Sequence, residues 1–332
     1  MSELDLQRRF FAEEIEAVCR LKSAPLVDAF AAVPRERFLP PGPWTVMADT
    51  DSGLGMAMAM KGGAPGGGLR VQTTPDDHPR RVYHNIGVAI DPSRSLFNGQ
   101  PGTLATWLDA LDLKAGGRVL HVGTGLGYYT AIMAHCVQGR PRGAAPTADG
   151  RPHGAAPTAD ERSQGGVATT EGCVVAYEVD EALAASARGN LATFPWVDVR
   201  HGDASAAVGG PFDAIVVNAG VTHPLDVWLD ALAAGGRMIL PLTSEMPAMA
   251  STLGKGLVVL VTKQDDGFAA RVFTLVAVYS AIGIRDRELN ERVSKALMGG
   301  PMQWAALKRL RRDPHDPAPT CWLHLPNCCF ST

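Results

Sequence analysis

The chain has 332 residues, of which 46% are hydrophobic and 20% charged, with a formal net charge of −3. This is a globular composition with ample material for a core, and its slightly acidic balance excludes the basic footprint of a general nucleic-acid binder. No apolar run reaches the roughly 18 residues that a membrane span needs, and the opening residues, MSELDLQRRFFAEEIEAV, lack the apolar region of a secretory signal. The expectation is a cytoplasmic monomer without membrane or nucleic-acid partners.

In chain order, Leu4, Phe10, Phe11, Ile15, Val18 and Leu21 recur near helical spacing, which predicts a helix over residues 4–21. A second, short helix runs from Leu26 to Ala32 and stops at Pro34. Residues 40–79 mix PPGPW, GMAMAMKGG and APGGG and read as an irregular lobe. A helix over Thr103–Leu111 follows. From Arg118 onward, short apolar runs alternate with helical segments. The runs are RVLHV, CVVAYE, VDVRH, FDAIVVN and RMILPL; the helices are Tyr128–Cys136, Glu181–Thr193 and Leu225–Ala233. Alternation of this kind predicts an α/β fold with a doubly wound, mostly parallel sheet covered on both faces. Two β-rich runs, GLVVLVTK and ARVFTLVAVYSAIGI, predict a C-terminal antiparallel hairpin that closes the sheet edge.

Between the first helix and second strand of the alternating region lies a tandem repeat. GRPRGAAPTAD (139–149) is followed by GRPHGAAPTAD (150–160), differing only at Arg142 against His153. Such a composition cannot bury a core, so the insertion 139–164 is expected to be a disordered surface loop. The organisation expected is an N-terminal helical and irregular region (1–79), a central domain (80–285), and a C-terminal helix and tail (286–332).

The chemistry concentrates where the first strand of the alternating region, VLHV, runs into Gly123, Gly125 and Gly127 and a helix begins at once. Glycines let a backbone turn tightly against a ligand, and the helix start offers unpaired N–H groups to an anion. The spacing is GxGxG rather than the dinucleotide GxGxxG. Once the insertion is set aside, Glu178 ends the next strand about 25 residues after Gly127, close to the roughly 20 at which an acidic residue meets ribose hydroxyls. Asp203, in His201-Gly-Asp-Ala204, ends the third strand and suits an exocyclic amine; Asn218 ends the fourth. All four features fall at carboxyl ends of strands, where open α/β sheets bind ligands.

These stretches resemble the S-adenosylmethionine-dependent protein-L-isoaspartate O-methyltransferases. The resemblance is carried by VPRERF (33–38), VYHN (82–85), NGQP (98–101), VLHVGTGLGYYTAIMA (119–134), HGDAS (201–205), FDAIVVNAG (212–220) and LAAGGRMILPL (232–242). It implies a class I, Rossmann-like methyltransferase acting on a carboxyl group of a protein or peptide, or on a small acid. It also implies S-adenosyl-L-methionine held by Gly123, Thr124, Gly125, Gly127, Glu178, Asp203, Ala204 and Asn218. His84, Asn85, Asn98 and Gln100 are the residues it offers for orienting the acceptor. Two positions depart from the pattern: Gly99 stands where the family usually carries Ser or Thr, and His121 where it usually carries an acid. Methyl transfer to an anionic oxygen rests on positioning rather than a strong base, so no base is assigned. A natural-product methyltransferase and a non-catalytic donor-binding module are the alternative readings.

The six cysteines form no CxxC pair. Cys19, Cys136 and Cys173 lie in apolar segments and read as buried thiols. Cys321, Cys328 and Cys329 cluster with His324 in a spacing that matches no common zinc pattern, so no metal site is expected. Lys308, Arg309, Arg311 and Arg312 read as a solvated helix end.

Overall fold

The computed structural model describes residues 2–48, 70–138, 172–245 and 253–332. The tandem repeat and the GMAMAM run therefore lie outside the described residues.

Ser2 starts the first helix, α1 (Glu3–Cys19), with a reciprocal cap: its hydroxyl accepts from the Asp5 amide while the Asp5 carboxylate accepts from the Ser2 amide. Ser23 caps α2 (Ala24–Ala32), which ends at Val33 because Pro34 disfavours helical geometry in the residue before it. Both helices bury aromatic residues into the core of the domain that follows. Phe11 meets Phe30 and Tyr83 edge-on, and Phe30 meets Tyr128, with ring centroids 5.7–6.4 Å apart. Edge-to-face pairs of this kind contribute about 0.5–1.5 kcal/mol each beyond the area they bury.

The segment expected to be irregular contains two strands, β1 (Thr45–Ala48) and β2 (Arg70–Thr73). With β3 (Gly87–Asp91) and β4 (Leu96–Phe97) they make a four-stranded antiparallel sheet of order β2-β1-β3-β4. Four-residue strands flanked by Pro and Gly are too short to show an alternating pattern, so tertiary pairing decided what periodicity could not. Helix α3 (Pro101–Leu111) follows with proline in its first turn.

The strand and helix alternation is then realised as β5 (Arg118–Val122), α4 (Tyr128–Gln138), β6 (Cys173–Glu178), α5 (Glu181–Asn190), β7 (Val197–His201), β8 (Phe212–Val217), α6 (Asp226–Asp230) and β9 (Leu232–Ser244). The helix expected over Leu225–Ala233 is shorter because Leu232 already pairs with Phe212 of β8. Next come β10 (Leu253–Gln264) and β11 (Gly267–Tyr279), paired antiparallel along their length with Asp265 and Asp266 at the turn.

This hairpin does not close the sheet. After α7 (Arg287–Met298) and α8 (Pro301–Ala305), the tail adds β12 (Arg309–Arg311), β13 (Cys321–His324) and β14 (Cys329–Ser331). The whole sheet has ten strands in the order β7-β6-β5-β8-β9-β10-β11-β12-β14-β13, parallel from β7 to β9 and antiparallel beyond. Arg309 and Arg311 are strand residues rather than a solvated helix end, and Arg312 pairs with Asp226 and Asp230 at 3.1 and 2.5 Å.

β5 lies between β6 and β8, and the chain winds away from it in both directions, so the crevice of the sheet opens at the carboxyl ends of β5 and β8. At the opposite end of β5 and β6, α4 finishes against the start of β6. A Cβ on Gly172 would fall 2.2 Å from the Val137 carbonyl, which only a residue without a side chain tolerates. Among the described residues, no helix is long and apolar enough to cross a membrane.

Candidate functional site

At the crevice, Gly123, Gly125 and Gly127 all hold positive φ, at +85°, +56° and +96°. Side chains rarely adopt this region, and at Gly127 the space is closed as well. A Cβ on Gly123 would meet the Asn218 carbonyl at 3.4 Å, and one on Gly127 would meet Leu191 at 2.8 Å. The loop is pinned from below. The amides of Gly123 and Thr124 both donate to the Tyr177 carbonyl, while the Asn218 amide donates to Val122 and its side-chain Nδ2 to the Gly123 carbonyl at 3.3 Å. The Thr124 hydroxyl turns inward to Thr130, whose hydroxyl also meets His121 Nδ1 at 2.8 Å. Burial pushes the His121 imidazole down to about 3.

Glu178, at the end of β6, is 7% exposed. Its Oε2 accepts from the Gly125 amide at 2.7 Å and its Oε1 from the Asp180 amide at 3.1 Å. The carboxylate therefore sets the glycine loop and still has acceptor capacity for hydroxyl groups. Beyond β7, Asp203 Oδ1 accepts from the Ser205 amide and hydroxyl, and these bonds hold its carboxyl below the usual range. Its Oδ2 faces Gly283, where a Cβ would lie 2.9 Å away. Ala204 adopts φ +57° and offers its carbonyl to the Trp228 indole at 2.9 Å. The fold thus gathers all eight donor-site residues expected from the sequence along neighbouring strand ends.

A strap formed by residues 87–100 runs across this edge. Ile90 packs 3.4 Å from where a Gly125 Cβ would be. Arg94 pairs with Asp180 at 2.6 Å. Tyr279, at the end of β11, accepts from the Phe97 amide at 3.1 Å and donates to the Ser95 carbonyl. Tyr129, on the helix that the glycine loop begins, donates its hydroxyl to the Gly99 carbonyl, and burial pushes that phenol up so that it stays a donor.

The four acceptor candidates separate here. Asn98 Oδ1 accepts from the Val88 amide at 2.9 Å and from Arg35, which leaves Nδ2 buried without an acceptor among the described residues. Gln100 begins α3 without a capping bond from its side chain. Asn85 is committed elsewhere, accepting the Gly102 amide at 2.8 Å, and the His84 ring is exposed. Gly99 has no room to grow: a Cβ there would fall 2.3 Å from Leu104 Cδ2.

Sequence reasoning missed Arg35, which is fully buried. Its guanidinium donates to the carbonyls of Val82, His84 and Ile86 at 2.6, 3.1 and 2.7 Å and to Asn98 Oδ1 at 3.3 Å, and lies 5.7 Å from the Tyr128 ring centre. One side chain thus fixes the loop before β3 and the start of the NGQP segment together. Within RER, flanked by charge, nothing but the VPRERF resemblance hinted at it. The tail cluster also differs from expectation. The fold brings His315 to Cys321, His324 and Cys329, and turns Cys328 into the apolar core.

The family model described as Protein-L-isoaspartate(D-aspartate) O-methyltransferase (PCMT) matches residues 70–143 and 166–267. Protein-L-isoaspartate O-methyltransferase 1 of Rhodopseudomonas palustris is 33% identical over 175 residues, which cover 52% of this chain and 54% of that protein. The match thus spans about half the length of that relative. A solved protein-L-isoaspartate O-methyltransferase superposes with a TM-score of 0.54 at 20% identity, covering 86% of this chain and 69% of the other. A Plasmodium falciparum protein described under the same family name, solved with S-adenosyl-L-homocysteine, gives 0.52 at 16% identity, covering 82% and 97%. These two likenesses show the fold, a class I methyltransferase sheet.

Proposed function

Because this chain belongs to the protein-L-isoaspartate(D-aspartate) O-methyltransferase family, whose model matches more than half of it, we propose that it methylates a carboxylate of a protein or peptide, with S-adenosyl-L-methionine as donor. The residues fit that donor. Three positive-φ glycines keep side chains out of the loop, Glu178 has acceptor capacity for ribose hydroxyls, and Asp203 Oδ2, which accepts no hydrogen bond among the described residues, suits an exocyclic amine. Asn218 sits against Gly123 at the methionine end. When bound, the donor supplies a sulfonium methyl that a carboxylate oxygen takes by in-line displacement, with the sulfur leaving as a thioether.

The protein's task is then positioning. Donor and acceptor groups held in line at contact distance recover much of the barrier as prepaid entropy, and an ionised carboxylate needs no base. The observation that carries the proposal is the Tyr129–Gly99 hydrogen bond, which couples the acceptor segment to the helix that starts at the glycine loop. The Gln100 side-chain amide, which makes no capping bond and is part-exposed, is the donor we assign to an acceptor carboxylate.

The test is release of S-adenosyl-L-homocysteine with isoaspartyl peptides, ordinary aspartyl peptides and small acids. The expected result is turnover of isoaspartyl peptides at least tenfold above the others. Turnover of small acids alone would replace the protein substrate with a small one. Tight S-adenosyl-L-homocysteine binding without any turnover would mark a binding module.

A further inference from the structure

We propose that the C-terminal tail holds a zinc ion through His315, Cys321, His324 and Cys329. One nitrogen or sulfur atom from each of these four residues lies within 4.8 Å of all the others, a grouping found nowhere else among the described residues. A tetrahedral zinc with ordinary Zn–N and Zn–S bonds separates its ligand atoms by about 3.3–3.8 Å. The His315 Nε2 to Cys321 Sγ distance is 3.6 Å, already the edge of such a tetrahedron.

Strand geometry explains how residues so irregularly spaced converge. His324 and Cys329 are directly paired across the β13–β14 hairpin and so share a face. Cys321 pairs with Ser331, two residues beyond Cys329, which puts it on that same face. In a regular strand Cys321 and His324, three apart, would point to opposite faces. The register shift between Cys321 and Leu323 absorbs the extra residue and turns them together. His315 then arrives from the proline-bearing segment before β13, its ring 4.9 Å from that of His324 and at 81° to it.

The surrounding hydrogen bonds fit a metal centre. His315 Nδ1 lies 2.8 Å from the Asp313 carbonyl, so its N–H points there and Nε2 keeps its lone pair for a ligand role. His324 Nδ1 is buried and has no hydrogen-bond partner among the described residues, an arrangement that costs free energy unless something accepts the lone pair. The Ala318 amide donates to Cys321 Sγ at 3.3 Å, as suits a thiolate. Two thiolates balance the charge of a divalent ion, and two imidazoles complete a closed shell with no position left for water. Mixed sulfur and nitrogen ligation in a tetrahedron selects zinc over the harder cations. The site would be structural, fastening the last strands and the 312–320 segment to the sheet. It is independent of the methyl-transfer crevice.

The experiment is zinc stoichiometry by plasma mass spectrometry on the full chain, purified with reductant and dialysed after exposure to excess zinc. Cobalt substitution reads the geometry. The expected result is one zinc per chain and, with cobalt, the intense visible bands of a tetrahedral centre with thiolate charge transfer. His315→Ala and Cys321→Ser should lower occupancy at least tenfold, while Cys328→Ala, adjacent in sequence but directed into the core, leaves it unchanged. Should Cys321→Ser fail to fold, Cys321→His preserves four ligands and is expected to keep zinc with a weaker thiolate band. Wild-type occupancy below one-tenth would overturn the proposal. So would full occupancy in folded His315→Ala, or a Cys321–Cys329 disulfide in the reduced preparation.

Discussion

Replacing Arg35 with methionine tests the architecture of the acceptor side. The guanidinium is fully buried and satisfies three carbonyls and the Asn98 amide oxygen. A hydrogen bond to a charged group contributes about 1.5–3 kcal/mol, but freeing the protein from burying that charge returns several kcal/mol. Arg35→Met leaves no charge behind but strands neutral buried acceptors at about 1–3 kcal/mol each, so that, set against the returned desolvation, the net loss is about 3–5 kcal/mol. For a chain of this length the loss lowers the melting temperature by about 4–7 °C. Because Arg35 joins the 82–86 loop to Asn98 and touches none of Gly123, Gly125 or Gly127, the kinetic damage should fall on the acceptor. Acceptor kcat/KM should drop at least tenfold, with S-adenosyl-L-homocysteine affinity kept within about threefold. Scanning calorimetry and titration calorimetry read the two halves. An Arg35→Met variant melting within about 1 °C of wild type, or one that loses donor binding instead, would refute the assignment of Arg35 as the clamp of this segment.

Three further outcomes follow from the same geometry. Glu178→Gln presents an amide N–H to one of the two backbone amides it now accepts, and should weaken S-adenosyl-L-homocysteine by about 1.5–3 kcal/mol, roughly 10- to 150-fold by titration calorimetry; unchanged affinity would remove Glu178 from the donor site. Gly99→Ser must displace Leu104 and should cost about 1–3 kcal/mol in thermal unfolding, and the double variant with Leu104→Ala should lose less than the sum of the two single losses; strictly additive losses would contradict the packing. His121 titrates near pH 3 when folded and near 6.5 when unfolded, so the unfolded chain binds the extra proton between those values. Stability from this group is therefore complete above pH 6.5 and falls by up to about 1.4 kcal/mol per pH unit toward 3, a slope that His121→Gln should remove from denaturant titrations at pH 7, 6 and 5.

The central sheet was readable because β5, β6 and β8 are covered on both faces and therefore carry apolar runs, such as Val174–Ala176 and Ala214–Val217. The residues expected to hold a donor could be placed at the crevice for the same reason: once strands are known, their carboxyl ends are known. What escaped was set by contacts between distant segments. Arg35 looks like surface charge until the carbonyls of Val82 and Ile86 surround it. β12, β13 and β14 are only three or four residues long among prolines, so only their pairing defines them. His315 stands six residues before Cys321, and nothing short of the β13 irregularity announces that they meet.

The contact between Gly172 and the Val137 carbonyl has a consequence for how this chain can vary. The two anchor points of the connection that carries the tandem repeat touch each other, at the end of β6 remote from Glu178. A connection between touching points bears no span: residues can be added or removed by whole repeats while α4, β6 and the strand ends beyond them keep their places. A change of copy number here would leave the crevice in place, whereas a change of length in the strap over the opposite end would have to break its ties to Tyr129, Tyr279 or Asp180.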